Sequence, residues 1–203
     1  LGFKELDAGY THAENLHLFI REVLQQGGLK TRNLDAVALS AGPGSYTGLR
    51  IGSSTAKGLC FALNIPMIAI GTLKVLAWRM KDAVPSVQLY CPMLDAGRME
   101  VYTAIFDRSL SEYRPVQPVI LSEETLREFD SPRPIAFGGS GFTKCRELLS
   151  GITSASFIED LRPSARFMPA LAMDAWNGAS FVQTADFEPF YLKSFIVGKK
   201  KAG

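Results

Sequence analysis

One stretch limits what this chain can fold into: an apolar run, a glycine–proline turn and a long helix of small residues in immediate succession. Ala36-Val-Ala-Leu-Ser40 reads as a buried strand. Gly42, Pro43 and Gly44 break it with a turn. Ser45 or Thr47 then serves as N-cap for a helix of about five turns that runs to Leu63. A strand, a glycine turn and a helix in this order point to an α/β architecture.

The helix has an uncommon composition. Between Tyr46 and Leu63 the only charges are Arg50 and Lys57, seven residues apart and so on one narrow face. Gly48, Gly52, Thr55, Ala56 and Leu59 fall on the opposite side, while Ser53, Ser54 and Gly58 keep the flanks small. Each glycine inside a helix costs about 1 kcal/mol against alanine. Several of them make sense where another backbone comes close. A helix that is apolar or small almost all round is buried on more than one side. A sheet covers one side, and something else must cover the other.

Two functional readings compete at this element. A glycine turn before a helix N-terminus presents free N–H groups to an anion. The pattern is neither Gly-x4-Gly-Lys-Ser/Thr nor Gly-x-Gly-x-x-Gly, which favours a tight structural turn over a phosphate cradle. The second reading is a packing surface for a partner helix, which the small residues favour.

These residues carry a family resemblance. Gly42-Pro-Gly-Ser-Tyr-Thr-Gly-Leu-Arg-Ile-Gly52, followed by Ala56-Lys-Gly-Leu59 and Ile65-Pro66, resembles the TsaB (YeaZ) family. Asp95-Ala-Gly-Arg-Met-Glu-Val-Tyr102 and Glu188-Pro-Phe-Tyr-Leu-Lys193 are similar to further segments of that family. The resemblance spans nearly the whole chain. It implies an α/β protein of the actin/sugar kinase/Hsp70-like superfamily, with two lobes. Pro85-Ser86 is the candidate boundary, giving a first lobe at residues 1–85 and a second at 86–203. An N-terminal hairpin with an Asp-x-Ser/Thr-type phosphate contact is expected to precede Leu1.

The resemblance also implies a function. Such proteins act in bacterial synthesis of N6-threonylcarbamoyladenosine (t6A), the modified base beside the tRNA anticodon. The expected role is a non-catalytic scaffold, without cofactor or metal, that pairs with the catalytic homologue TsaD and is joined by TsaE, an ATPase. The helices at residues 11–26 and 46–63 would pack against their TsaD equivalents as a four-helix bundle. The expected interface residues are Ala13, Leu16, Ile20, Gly48, Ile51, Gly52, Thr55, Ala56 and Leu59. The same surface would form a homodimer in the absence of TsaD, and tRNA would be met only indirectly. The rival from another class is a nucleotide-dependent kinase or hydrolase of the superfamily.

Composition bounds these expectations. A chain of 203 residues can bury a proper core. Hydrophobic content of 47% with 21% charge is that of an ordinary globular protein, and a net charge of +2 does not by itself predict nucleic-acid binding. No apolar run approaches the length of a membrane-spanning helix, and Cys60, Cys91 and Cys145 lack C-x-x-C spacing, so a cytoplasmic location is expected. The basic run Lys199-Lys-Lys201 reads as a solvated tail.

Catalytic groups are sparse. The two histidines, His12 and His17, stand about 140° apart on a helix and cannot share a metal. The TsaD family carries a His-x-x-x-His metal pair shortly after the strand that follows its own Gly-Pro-Gly helix. By register Thr72 and Leu76 occupy those positions here, and neither replaces imidazole. A metallopeptidase reading therefore lacks its ligands. Ser45 sits in Gly-x-Ser-x-x-Gly, not in a nucleophile elbow. Asp95, Arg98 and Glu100 form a charged cluster read as turn chemistry, with a partner contact as the alternative.

Elsewhere the patterns predict strands over 1–6, 67–70, 87–94, 100–106 and 135–138. They predict helices over 11–26, with Thr11 and Glu14 as a capping box, and over 72–80, 122–129, 142–149 and 164–181. Ile135-Ala-Phe-Gly-Gly-Ser-Gly141 reads as a strand–helix connector, with a nucleotide turn as the alternative. Leu18 projects away from the core stripe of its helix, and residues 189–195 read as an extended C-terminal segment.

Overall fold

The computed structural model describes residues 2–6, 12–129 and 132–191. It is an α/β protein with two sheets. The smaller is a parallel pair, β1 (Val37–Ser40) and β2 (Met67–Ile70), in register from Val37 opposite Met67 to Ser40 opposite Ile70. The crossover between them is α2 (Tyr46–Leu63), which follows α1 (His12–Gln26). Parallel strands need such a crossover, and a helix is its usual form.

The larger sheet has five strands in the order β5-β4-β3-β6-β7. β3 (Leu89–Asp95), β4 (Glu100–Asp107) and β5 (Glu112–Ile120) form an antiparallel meander. β6 (Ile135–Gly138) and β7 (Ala155–Ile158) add to it in parallel. Side chains alternate along β3 with the period of two that a pleated strand imposes. Tyr90 and Leu94 enter the core on one face; Leu89, Cys91 and Met93 enter that on the other.

The helix α3 (Thr72–Ala83) joins the two sheets. Its Leu73, Val75, Leu76, Ala77 and Met80 share one continuous core with Ile68 and Ile70 of β2 and Tyr90 and Phe106 of the larger sheet. Phe137, Phe142 and Leu149 anchor the opposite core beneath the short helix α5 (Arg146–Leu149). Each such fully buried side chain contributes about 1.5–3 kcal/mol. A third cluster seats α2 on the small sheet and is the thinnest: Leu39, Ala56, Cys60 and Met67.

Several expected elements differ in extent. Residues 2–6 form no strand; they run beside α1, where Lys4 pairs with Glu22 at 2.9 Å and the Phe3 amide donates to Gln26 Oε1. Thr11, the expected N-cap of α1, lies outside the described residues. The expected helix at 142–149 breaks at Cys145 into a 3-10 turn and α5. The expected helix at 164–181 also breaks. Ser164 caps a 3-10 turn, accepting from the Arg166 amide at 3.2 Å, and α6 (Pro169–Asn177) begins only at Pro169. Proline lacks an N–H and is favoured at the first position of a helix, so the backbone restarts there.

Two strands carried no sequence expectation. β5 holds Pro115 and Pro118, which a central strand would reject; it stands at the sheet edge, where a missing donor is tolerated. β7 is only half-buried. The helix α4 (Glu123–Arg127) forms as expected, with Ser122 Oγ accepting from the Thr125 amide.

Candidate partner-binding face

The glycine turn knots three parts of the chain together. The Ala41 amide donates to Ile70 O at 2.8 Å, the Thr72 amide to Gly42 O at 2.9 Å, and the Phe190 amide to Ala41 O at 2.7 Å. Gly42 has φ +98°, and a Cβ there would lie 2.8 Å from Phe190 O. Only glycine fits that backbone and that approach. These contacts support the structural turn over the phosphate cradle.

Both ends of α2 are capped as helix chemistry requires. Ser45 Oγ accepts from the Gly48 amide at 3.3 Å, which selects Ser45 over Thr47 as N-cap. Asn64, at φ 54°, closes the other end in the left-handed conformation, its N–H bonded to Cys60 O. Between the caps, Ser53, Ala56 and Cys60 face the small sheet and are buried. Gly52 and Gly58 face open space: beyond their chain neighbours and the adjoining backbone of the helix, no atom of the described residues lies within 4 Å of where their Cβ would stand. Phe61 is 89% exposed.

Of the expected interface residues, Leu16, Gly48, Ile51 and Gly52 line one wall of a cleft of about 600 Å³ that runs from α1 and α2 to the two glycine turns, where Ser40, Thr72, Asp95 and Ser140 line it. Ile20, Thr55 and Leu59 are half-buried nearby in sequence on the same two helices. Ala56 is corrected: at 4% exposure it belongs to the core against Leu39 and Met67, not to the open face. Its angle on the helix wheel, toward Cys60, decides this. The side chain of Ala13 lies outside the described residues. Phe61, about 180° from Gly52 on the helix wheel, is exposed on the side away from this cleft.

The helix α1 adds an amphipathic face that its own chain covers only in part. Leu16, Phe19, Ile20, Val23 and Leu24 are all half-buried, and no residue from 15 to 26 is fully buried. Leu18 is 43% exposed on the far side.

The charged cluster at residues 95–100 is turn chemistry with one added partner. Asp95 Oδ1 accepts from the Gly97 amide at 2.6 Å and pairs with Lys144, whose ammonium also donates to Arg98 O at 2.6 Å. Arg98 itself turns the chain at φ 47°. The second glycine turn is a connector: the Gly141 amide donates to Met93 O at 3.0 Å, and Gly139 has φ +111° with its Cβ position against that same carbonyl.

Thr72 and Leu76, the two positions expected to correspond to a metal pair, carry no imidazole. Thr72 Oγ1 lies 2.6 Å from Ser40 Oγ, and Leu76 is wholly within the core. Among the described residues no group of three His, Cys, Asp or Glu side chains could hold a metal. Burial pushes the Cys91 thiol up to about 12 and the Cys145 thiol to about 11, which leaves neither as a nucleophile. No helix of the described residues is long and apolar enough to cross a membrane.

An α/β fold with a mixed sheet, a glycine-turned crossover helix and this register defines the class. Residues 6–120, more than half of the chain, match the family model of TsaD, tRNA N6-adenosine threonylcarbamoyltransferase, whose fold is of the actin-like kinase type. The tRNA threonylcarbamoyladenosine biosynthesis protein TsaB of Escherichia coli is 27% identical over 95% of this chain and 85% of its own length. The Haemophilus influenzae protein of the same name is 26% identical over 95% and 84%. The structure of YeaZ from Pseudomonas aeruginosa superposes with a TM-score of 0.76 at 27% identity, covering 90% of this chain and 86% of that one. The chain belongs to the TsaB (YeaZ) branch of the TsaD family.

Proposed function

We propose that this chain is a non-catalytic, activating scaffold of a bacterial t6A transferase complex, pairing with a TsaD subunit through α1 and α2. TsaE joins that complex, tRNA is met only indirectly, and a homodimer forms through the same face in the absence of TsaD. The complex works in the cytoplasm, and the chain divides into two lobes near Pro85-Ser86.

The observation that carries this reading is the open face of α2. Gly52 and Gly58 each weaken the helix by about 1 kcal/mol against alanine, yet nothing beyond the helix's own adjoining backbone and their chain neighbours lies within 4 Å of their Cβ positions. A second helix packed there would use the room they leave. The partly covered stripe of α1 supplies apolar surface beside the Gly52 side of α2. The rate effect would come from holding the partner in its active conformation, since Thr72 and Leu76 offer no metal site.

The test is t6A formation on tRNA with purified TsaC, TsaD and TsaE, with and without this chain. Activity that requires the chain, and is absent without TsaD, is the expected result. Full activity in its absence overturns the scaffold role.

A nucleotide-dependent enzyme is the second reading, and the cleft between the two glycine turns favours it, with Ser40, Ser45, Thr72, Asp95 and Ser140 on its walls. Against it, Ser40 and Thr72 bond each other and Asp95 is held by Lys144. Nucleotide turnover by the isolated chain would decide for the enzyme.

A further inference from the structure

Resting on the pairing reading above, we infer that residues 182–191 act as a strap that seats α2 from behind and thereby sets the affinity for the partner. The seat of α2 is thin, because the residues it buries against the small sheet are Ser53, Ala56 and Cys60. Val182 and Phe187, both from this segment, complete the wall of that cluster. Small side chains leave α2 little apolar contact of its own, so its position depends on what the strap adds.

Four attachments hold the segment. The Val182 amide donates to Met67 O at 3.0 Å, Lys57 Nζ to Ala185 O at 2.9 Å and the Phe190 amide to Ala41 O at 2.7 Å. The Tyr191 ring stands 5.0 Å from that of Tyr46 in the first turn of α2. Pro189 is buried between these points, while Phe190 and Tyr191 are exposed on the outside. Backbone bonds near the surface with few large buried groups belong to the low end of local stability, so the strap opens before the core does. An equilibrium between docked and open strap multiplies the apparent affinity by the docked fraction, so the apparent Kd rises as the strap opens.

Lys57 and Gly52 stand about 140° apart on the helix, so a substitution at Lys57 reaches the strap without entering the proposed pairing face. Lys57→Met removes one attachment, and Phe190→Pro removes the amide of another. The full chain carrying each change, and both, would be followed by hydrogen exchange in segments 182–191 and 53–63. Binding to purified TsaD would be titrated in parallel, with circular dichroism as the fold control. The expected result is faster exchange in both segments, an unchanged spectrum, and a Kd raised about tenfold in the double variant. Faster exchange in the strap with wild-type exchange in α2 and wild-type Kd overturns the inference while leaving the pairing reading intact. A wild-type chain that does not bind TsaD overturns both.

Discussion

The Thr72 hydroxyl lies 2.6 Å from the Ser40 hydroxyl, fastening the end of β1 to the first turn of α3. Thr72 is buried and Ser40 half-buried, so neither hydroxyl is freely solvated. Thr72→Val keeps the shape and strands the Ser40 hydroxyl, at a cost of about 1–2 kcal/mol. The fall appears in thermal or denaturant unfolding. Ser40→Ala in the same chain recovers part of it, because the two sites share one bond.

Treatment with EDTA leaves the melting temperature and the stimulation of t6A synthesis unchanged, provided that the metal of TsaD is restored. Thr72 and Leu76 supply no imidazole, and among the described residues no group of three His, Cys, Asp or Glu side chains could hold a metal. A stoichiometric metal in the purified chain, with a lower melting temperature on its removal, contradicts this.

Gly52→Arg abolishes pairing with TsaD and leaves the unfolding midpoint within about 1 kcal/mol of wild type, because the added side chain enters open space. Ala56→Arg behaves differently. A buried guanidinium against Leu39 and Met67 costs several kcal/mol, so that variant loses the fold and not merely the partner. Co-purification read beside circular dichroism separates the two.

Gly139→Ala destabilises the chain by about 2 kcal/mol or more. The residue sits at φ +111°, where an L side chain is strained, and its Cβ would meet the Met93 carbonyl. Gly97→Ala, at φ +86° but with open space around it, is the milder control. Urea unfolding of the pair measures the difference.

All three cysteines are buried, and burial raises each thiol above its ordinary value of 9.0. The native protein at pH 8 therefore labels slowly with a thiol reagent, and denaturant releases three reactive groups. The folded chain keeps protons that the unfolded chain loses above pH 9, where thiols ionise in the open. This contribution is complete below pH 9 and is lost as pH climbs toward about 12 at Cys91. An unfolding series across that range shows stability falling as pH rises.

The fold's strongest local signals were legible before the structure. The helix start at Ser45 or Thr47 and its end at Leu63 were readable from the residues, and Val37–Ser40 and Met67–Ile70 stand out as short apolar runs; the structure chose Ser45 and added Asn64 as the closing cap. Pro169 shows why other boundaries were not. The apolar pattern continues across it, so period alone predicts one helix where the backbone makes a 3-10 turn and then α6. β5 was hidden because Pro115 and Pro118 argue against a strand unless its place at the edge is known.

The sequence by itself determined the composition of α2, the turn that precedes it and the lack of imidazole at Thr72 and Leu76, because these depend on residue identity at fixed spacing. Tertiary structure decided which of the small residues face outward. Ala56 and Gly52 are four positions apart on one helix, yet the sheet beneath buries the first and leaves the second open. It also brought Phe190 back to Ala41 and Lys57 to Ala185. Those contacts join positions far apart in the chain, and only packing of the whole molecule brings them within bonding distance.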